Sequence, residues 1–118
     1  MASSQVLDPV VLEGLRVLDE ETGGGFLREL VALFVGEIDG RLAHLDEAVA
    51  RGDAAAIAGV THGMKGSAAN VGALRMRDAA IDLEAAARTG ELDDAGVLVA
   101  RLRDEFDRAH QALEAELS

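Results

Sequence analysis

Apolar side chains recur at spacings of three and four along nearly the whole chain, and no stretch alternates apolar and polar with period two. That spacing lines one stripe of an α-helix and leaves a β-sheet no face to bury. Five segments carry it. Asp8-Pro9 reads as an N-cap followed by proline at the first helical position, opening a short helix to about Leu18 with Val11, Leu15 and Leu18 on one side. Beyond the Gly23-Gly24-Gly25 break, a long helix presents Leu27, Val31, Phe34, Ile38, Leu42, Leu45 and Val49. Arg51-Gly52-Asp53 then supplies a basic last turn, a glycine stop and the next N-cap. The third helix carries Ile57, Val60, Met64, Ala68 and Val71 and ends at Gly72. The fourth, from about Leu74 to Thr89, packs Met76, Ala79, Ala80, Leu83 and Ala87 and stops at Gly90. The last, from about Asp93 to Leu117, shows Ala95, Leu98, Leu102, Phe106, Ala109, Leu113 and Leu117.

Short turns place consecutive helices side by side and in opposite directions. The predicted fold is all-α: an antiparallel up-down-up-down four-helix bundle with a short extra N-terminal helix across one end. Residues 1–118 are expected to form a single domain, since 118 residues is an ordinary domain length.

Composition narrows the function by exclusion. Eleven basic against 22 acidic side chains leave a net charge of −11, which argues against nucleic acid or an anionic membrane as partner. No run approaches the length of a membrane span, and MASSQVLDPV has neither the basic start nor the apolar stretch of a signal peptide. With no cysteine, disulfides, thiolate metal sites and thiol catalysis are ruled out. A soluble, cytoplasmic, monomeric domain is expected.

Residues 54–77 break these rules twice. They hold no Asp or Glu, while Lys65, Arg75 and Arg77 make them a cationic island in an acidic chain. They also place Gly59, Gly63 and Gly66 inside a helix, where each costs roughly 0.8–1 kcal/mol relative to alanine. A helical wheel centred on Ile57 gathers the apolar stripe on one side and puts His62, Gly59, Gly66 and Ala69 on the other, with Lys65 at the flank between. His62 therefore points away from the core among residues with almost no side chain, with Lys65 one turn along. An unobstructed imidazole on a rigid helix can be reached by another protein's active site, and a nearby cation favours negative charge placed upon it. That chemistry is transient carriage of a phosphoryl group.

The stretch Thr61-His62-Gly63-Met64-Lys65-Gly66-Ser67-Ala68-Ala69-Asn70-Val71-Gly72 resembles the H-x-x-K-G-S-(A/S) signature of histidine-containing phosphotransfer (HPt) domains, and the likeness runs on through Leu74 and Leu83-Glu84. It departs from the pattern at Met64, where leucine is usual, and at Gly63. The resemblance implies a four-helix bundle that relays phosphoryl groups between aspartates of receiver domains, in response regulators or hybrid histidine kinases. It makes His62 the acceptor, Lys65 the phosphoryl-stabilising cation and Gly66 the residue that lets the receiver approach, with Ser67 at the next motif position. Gly59 and Ala69, from the helical wheel, complete the expected docking surface with Gly66 and Ser67. No cofactor is implied, magnesium being expected from the partner's receiver domain. Nor is kinase activity, since the chain has no recognisable ATP-binding segment. The alternative is a non-catalytic adaptor that docks a partner through the same glycine-rich face.

Other motifs weigh less. His44 and His110 lack neighbours of this kind and read as solvated residues, and the three histidines lack zinc-ligand spacing. Gly63-Met64-Lys65-Gly66-Ser67 lacks the order of a phosphate-binding loop, and Ser67 lacks the elbow and partners of a hydrolase. Asp19-Glu20-Glu21 reads as a solvated turn. The helical wheel leaves the directions of Arg75 and Arg77 open, while Arg41 is placed beside His62 across the helix pair.

Overall fold

Helix boundaries follow the start and stop signals of the sequence. In the computed structural model, which describes residues 5–117, the helices are α1 (Pro9–Glu21), α2 (Phe26–Ala50), α3 (Ala54–Asn70), α4 (Leu74–Thr89) and α5 (Ala95–Glu116). Residues 1–4 and 118 of the predicted domain lie outside the described residues. Asp8 and Asp53 cap α1 and α3, each carboxylate accepting from a backbone N–H two or three residues on, at 2.9 and 3.0 Å. Gly52, at φ 63°, takes the left-handed turn between α2 and α3 that a side chain would strain.

α1 is one turn longer than predicted, and that turn is useful. Its Asp19, read from sequence as part of a solvated cluster, accepts from the Leu27 N–H at 2.9 Å and caps α2, whose own N-cap is the bare Gly25. The beginning of α1 is tied to the α3–α4 turn. Leu7 and Ala73 form an isolated bridge, and the Asp8 N–H donates to the Gly72 carbonyl at 2.8 Å. Gly72 sits at φ 73°, and a Cβ there would lie 3.0 Å from that of Val11.

α3 packs between α2 and α4, α4 packs on α5, and α5 closes back on α2 through an edge-to-face contact of Phe34 with Phe106. Cross-helix partners rise in number on one helix as they fall on the next: Glu37 with Ser67 then Arg41 against Gly63, and Arg75 with Glu105 then Asp82 with Arg101. Among the described residues there is no strand beyond the isolated bridge.

The core keeps most predicted positions and shifts some. In α1 the buried residue is Leu12, while Val11 and Leu15 are half-buried and Leu18 is exposed, because Gly72 fixes which side of α1 faces inward. In α3 the sandwiching helices widen the buried arc, so Ala58 and Thr61 join it and Val60 is half-buried. The Thr61 hydroxyl is satisfied within its own helix by the Ile57 carbonyl at 2.8 Å. Ala48 replaces Val49 at the end of α2, Val99 replaces Leu98 in α5, and Leu117 is half-buried. Leu45 is fully enclosed. Leu45→Ala should lower unfolding free energy by about 2–5 kcal/mol, read from denaturant midpoints at unchanged helical content.

Candidate functional site

His62 stands midway along α3 with fixed supports and an open surround. Thr61 before it and Met64 after it are fully buried, which pins this turn of the helix against the core. The imidazole itself is 63% exposed. One turn to either side, a Cβ on Gly59 or Gly66 would meet nothing within 4 Å, and Ala69 is exposed beside them. These small residues occupy the outward face the helical wheel gave them.

The cationic island meets a carboxylate that lies outside its own segment. Glu84, on α4, is buried to 8% exposure and faces α3. Its Oε1 accepts from Lys65 Nζ at 2.9 Å. Its Oε2 lies 3.0 Å from His62 Nδ1 and accepts from Arg88 Nη2 at 2.6 Å. Lys65, with Arg88 and His62 behind it, holds the Glu84 carboxyl down to about 2 against the opposing effect of burial. An ionised carboxylate can only accept, so Nδ1 carries the proton in this contact, and in the neutral form of the ring that tautomer leaves the lone pair on Nε2. The expectation of a carboxylate-free surround therefore holds for the segment and fails in space. Lys65 is an ion-pair partner as well as a neighbour of His62. Ile81 and Ala85 complete a shallow depression around this cluster.

A model of the Hpt domain family matches residues 29–112. The chain belongs to the Hpt domain family. Among solved structures, the crystal structure of histidine-containing phosphotransfer protein B from Pseudomonas aeruginosa matches with a TM-score of 0.86 at 32% identity, over 97% of this chain and 96% of that one. A search of curated proteins returns no match.

In this Hpt chain the flank of α3 that faces α2 carries a second set of contacts. The Ser67 hydroxyl donates to Glu37 Oε1 at 2.7 Å, and Arg41 Nε donates to the same oxygen at 3.0 Å. Ser67 first, then Arg41, holds the Glu37 carboxyl below the usual carboxylate range. Ser67 thus lies on the helix flank, turned to α2, and is set apart from the open face of Gly59, Gly66 and Ala69. Arg41 lies against Gly63, beside His62 in the chain.

The other two cations of residues 54–77 pair with carboxylates away from His62. Arg75 donates to the buried Glu105 of α5 at 2.6 Å, and Arg77 lies 3.6 Å from Asp78. His110 stacks on Phe106 and pairs with Glu114, while His44 is exposed. Among the described residues no three metal-ligating side chains come together, and no helix is long and apolar enough to cross a membrane.

Glu84, which the family resemblance reaches, is given no role at the site by the sequence. Its signal is present: an acidic residue on the apolar stripe of α4, four after Ala80 and three before Ala87, with Arg88 four residues on. Because its carboxyl is depressed from 4.5 to about 2, its stabilising effect is complete above about pH 4.5 and is lost as pH falls toward 2. Glu84→Gln should accordingly be less stable than wild type at neutral pH, with the gap narrowing between pH 4.5 and 2.5 in parallel denaturation series.

Proposed function

We propose that this chain is a histidine phosphotransfer protein of a two-component phosphorelay, a phosphocarrier with no ATP-dependent kinase activity of its own. One observation carries the reading. An exposed imidazole has Nδ1 tied to an ionised carboxylate, and the ring stands on a face cleared of side chains, where its neutral form offers Nε2 as the nucleophile. Nε2 attacks the phosphorus of a partner's aspartyl phosphate, the P–O bond to the aspartate breaks, and that carboxylate leaves as the N–P bond forms. The ring gains positive charge in this step, and Glu84 sits against it. The return transfer reverses every bond change.

Lys65, already turned toward this corner by Glu84, supplies a cation beside a phosphoryl group on the ring. Gly59, Gly66 and Ala69 form the surface on which the partner seats, with Ser67 at its α2 edge. The partners are receiver domains of response regulators or hybrid histidine kinases, whose acidic sites bring the magnesium ion. Neither nucleic acid nor a membrane is a partner. The chain acts as one monomeric, cytoplasmic unit over its 118 residues. Its α2–α5 form an antiparallel up-down-up-down bundle with α1 across one end, a reading supported by the opposed order of the cross-helix pairs.

Incubation with a phosphorylated receiver domain should give acid-labile, base-stable label on the wild-type chain and none on His62→Gln. Nitrogen-15 spectra of the labelled protein should place phosphorus on Nε2. Label that persists in His62→Gln would overturn the assignment, and retained docking with no label on wild type would favour an adaptor. Gly66→Gln adds a side chain where the protein itself offers no obstacle, so it should raise stability by up to ~1 kcal/mol while slowing transfer. Thermal unfolding and label transfer, measured on one preparation, give the two opposed signs.

A further inference from the structure

Gly63 differs from the other two interior glycines of α3. A Cβ at Gly59 or Gly66 would enter open space, whereas one at Gly63 would lie 2.7 Å from Arg41 Cζ and 3.1 Å from its Nη2, closer still to Nη1. The guanidinium of Arg41 therefore rests where a side chain at residue 63 would begin. Arg41 crosses from α2 to reach it, and Glu37 holds Nε at 3.0 Å so that the fork lies over α3 and stays half-exposed. Ser67, by donating to the same Glu37 oxygen, fixes that carboxylate in turn.

The result is a face bordered on both sides by cations. Lys65 and Arg88 stand on the α4 border around Glu84, and Arg41 stands on the α2 border beside Glu37. Three cations against two carboxylates leave this patch at +1, on a chain of net charge −11. An acidic partner is repelled by most of the molecule and admitted here.

Resting on the phosphocarrier reading, we propose that residue 63 is glycine to seat Arg41, and that Arg41 is a specificity-determining residue that engages an acidic edge of the incoming receiver domain. It acts on docking, since it sits on the opposite flank of α3 from the Lys65–Glu84 corner to which His62 is tied. Two substitutions reach the same contact by independent routes. Arg41→Gln removes the charge. Gly63→Ala keeps the charge but expels the guanidinium, which can swing away because it is the free end of a flexible side chain.

The experiment is a double-mutant cycle on the full chain, read first as affinity for an unphosphorylated receiver domain in a His62→Gln background, then as label transfer with His62 present. Each single substitution should weaken receiver binding by about two- to fivefold at low salt, and less at high salt. The double variant should be no weaker than Arg41→Gln alone. In transfer, the loss should appear more in KM than in the saturated rate, and Arg41→Lys should restore only part of it. Gly63→Ala should meanwhile change Tm little, because the gain of alanine in a helix is set against the Arg41 contact it expels.

Binding that ignores Arg41→Gln, or a Gly63→Ala effect that persists in the Arg41→Gln background, would overturn the inference with the phosphocarrier reading intact. A wild-type chain that binds receivers in an Arg41-dependent way yet takes no label would overturn the carrier reading alone. A chain that binds no receiver overturns both.

Discussion

A single carboxylate sets the geometry on which this molecule's chemistry depends. Glu84 is almost enclosed by α3 and α4, where an uncompensated charge would cost several kcal/mol. Three groups offset that cost: Lys65 and His62 from α3, and Arg88 from the next turn of α4. Each contact needs the two helices in one register. A slide of one helical turn, about 5.4 Å, would break the contacts from α3 together and leave Glu84 with Arg88 alone. The turn of α3 that bears His62 is in this way fixed twice, by the buried Thr61 and Met64 beneath it and by the carboxylate beside it. On the proposed reading the ring is oriented before any partner arrives, which is how a geometry-dependent transfer avoids the entropy of ordering its own nucleophile.

The three glycines of α3 look alike in sequence and differ in space. Gly59 and Gly66 open onto solvent, so their cost in helix stability has no counterpart within the chain itself. Gly63 has one, because the space it leaves is filled by the Arg41 guanidinium. A helical wheel treats one helix as if it were alone, and so it assigns Gly63 a cost without the contact that offsets it. Arg41 precedes Gly63 by 22 residues and comes from another helix, beyond the reach of local periodicity.

Most of the fold was legible in sequence because its signals are local. Asp8-Pro9, Gly52-Asp53, Gly72 and Gly90 each mark a boundary through backbone chemistry that needs no tertiary partner. What was missed depends on neighbours. The helical spacing puts Leu18 on the buried side of α1, but the side that faces inward is chosen by the α3–α4 turn, and it leaves Leu18 exposed. The roles of Glu84 and Glu105 are hidden in the sequence for one shared reason. Both occupy apolar stripes, and both are buried against cations that lie 19 and 30 residues earlier in the chain, Lys65 and Arg75. An acidic residue on a buried stripe is a visible anomaly in sequence, and the partner that explains it is not.

The same pairing gives the site its electrostatic balance. With His62 neutral, Lys65, Arg88 and Glu84 sum to one positive charge, so the corner is mildly attractive to an anionic group. On the proposed reading, a phosphoryl group on Nε2 would bring close to two negative charges while the ring gains one positive charge, so the net change of about −1 offsets the corner's excess. A strongly cationic corner would bind the phosphoryl group too well to release it, and a carboxylate-rich one would refuse it. Placing one buried glutamate between two cations keeps the corner near neutrality in both states, and a carrier that must both accept and surrender its load needs that near-balance.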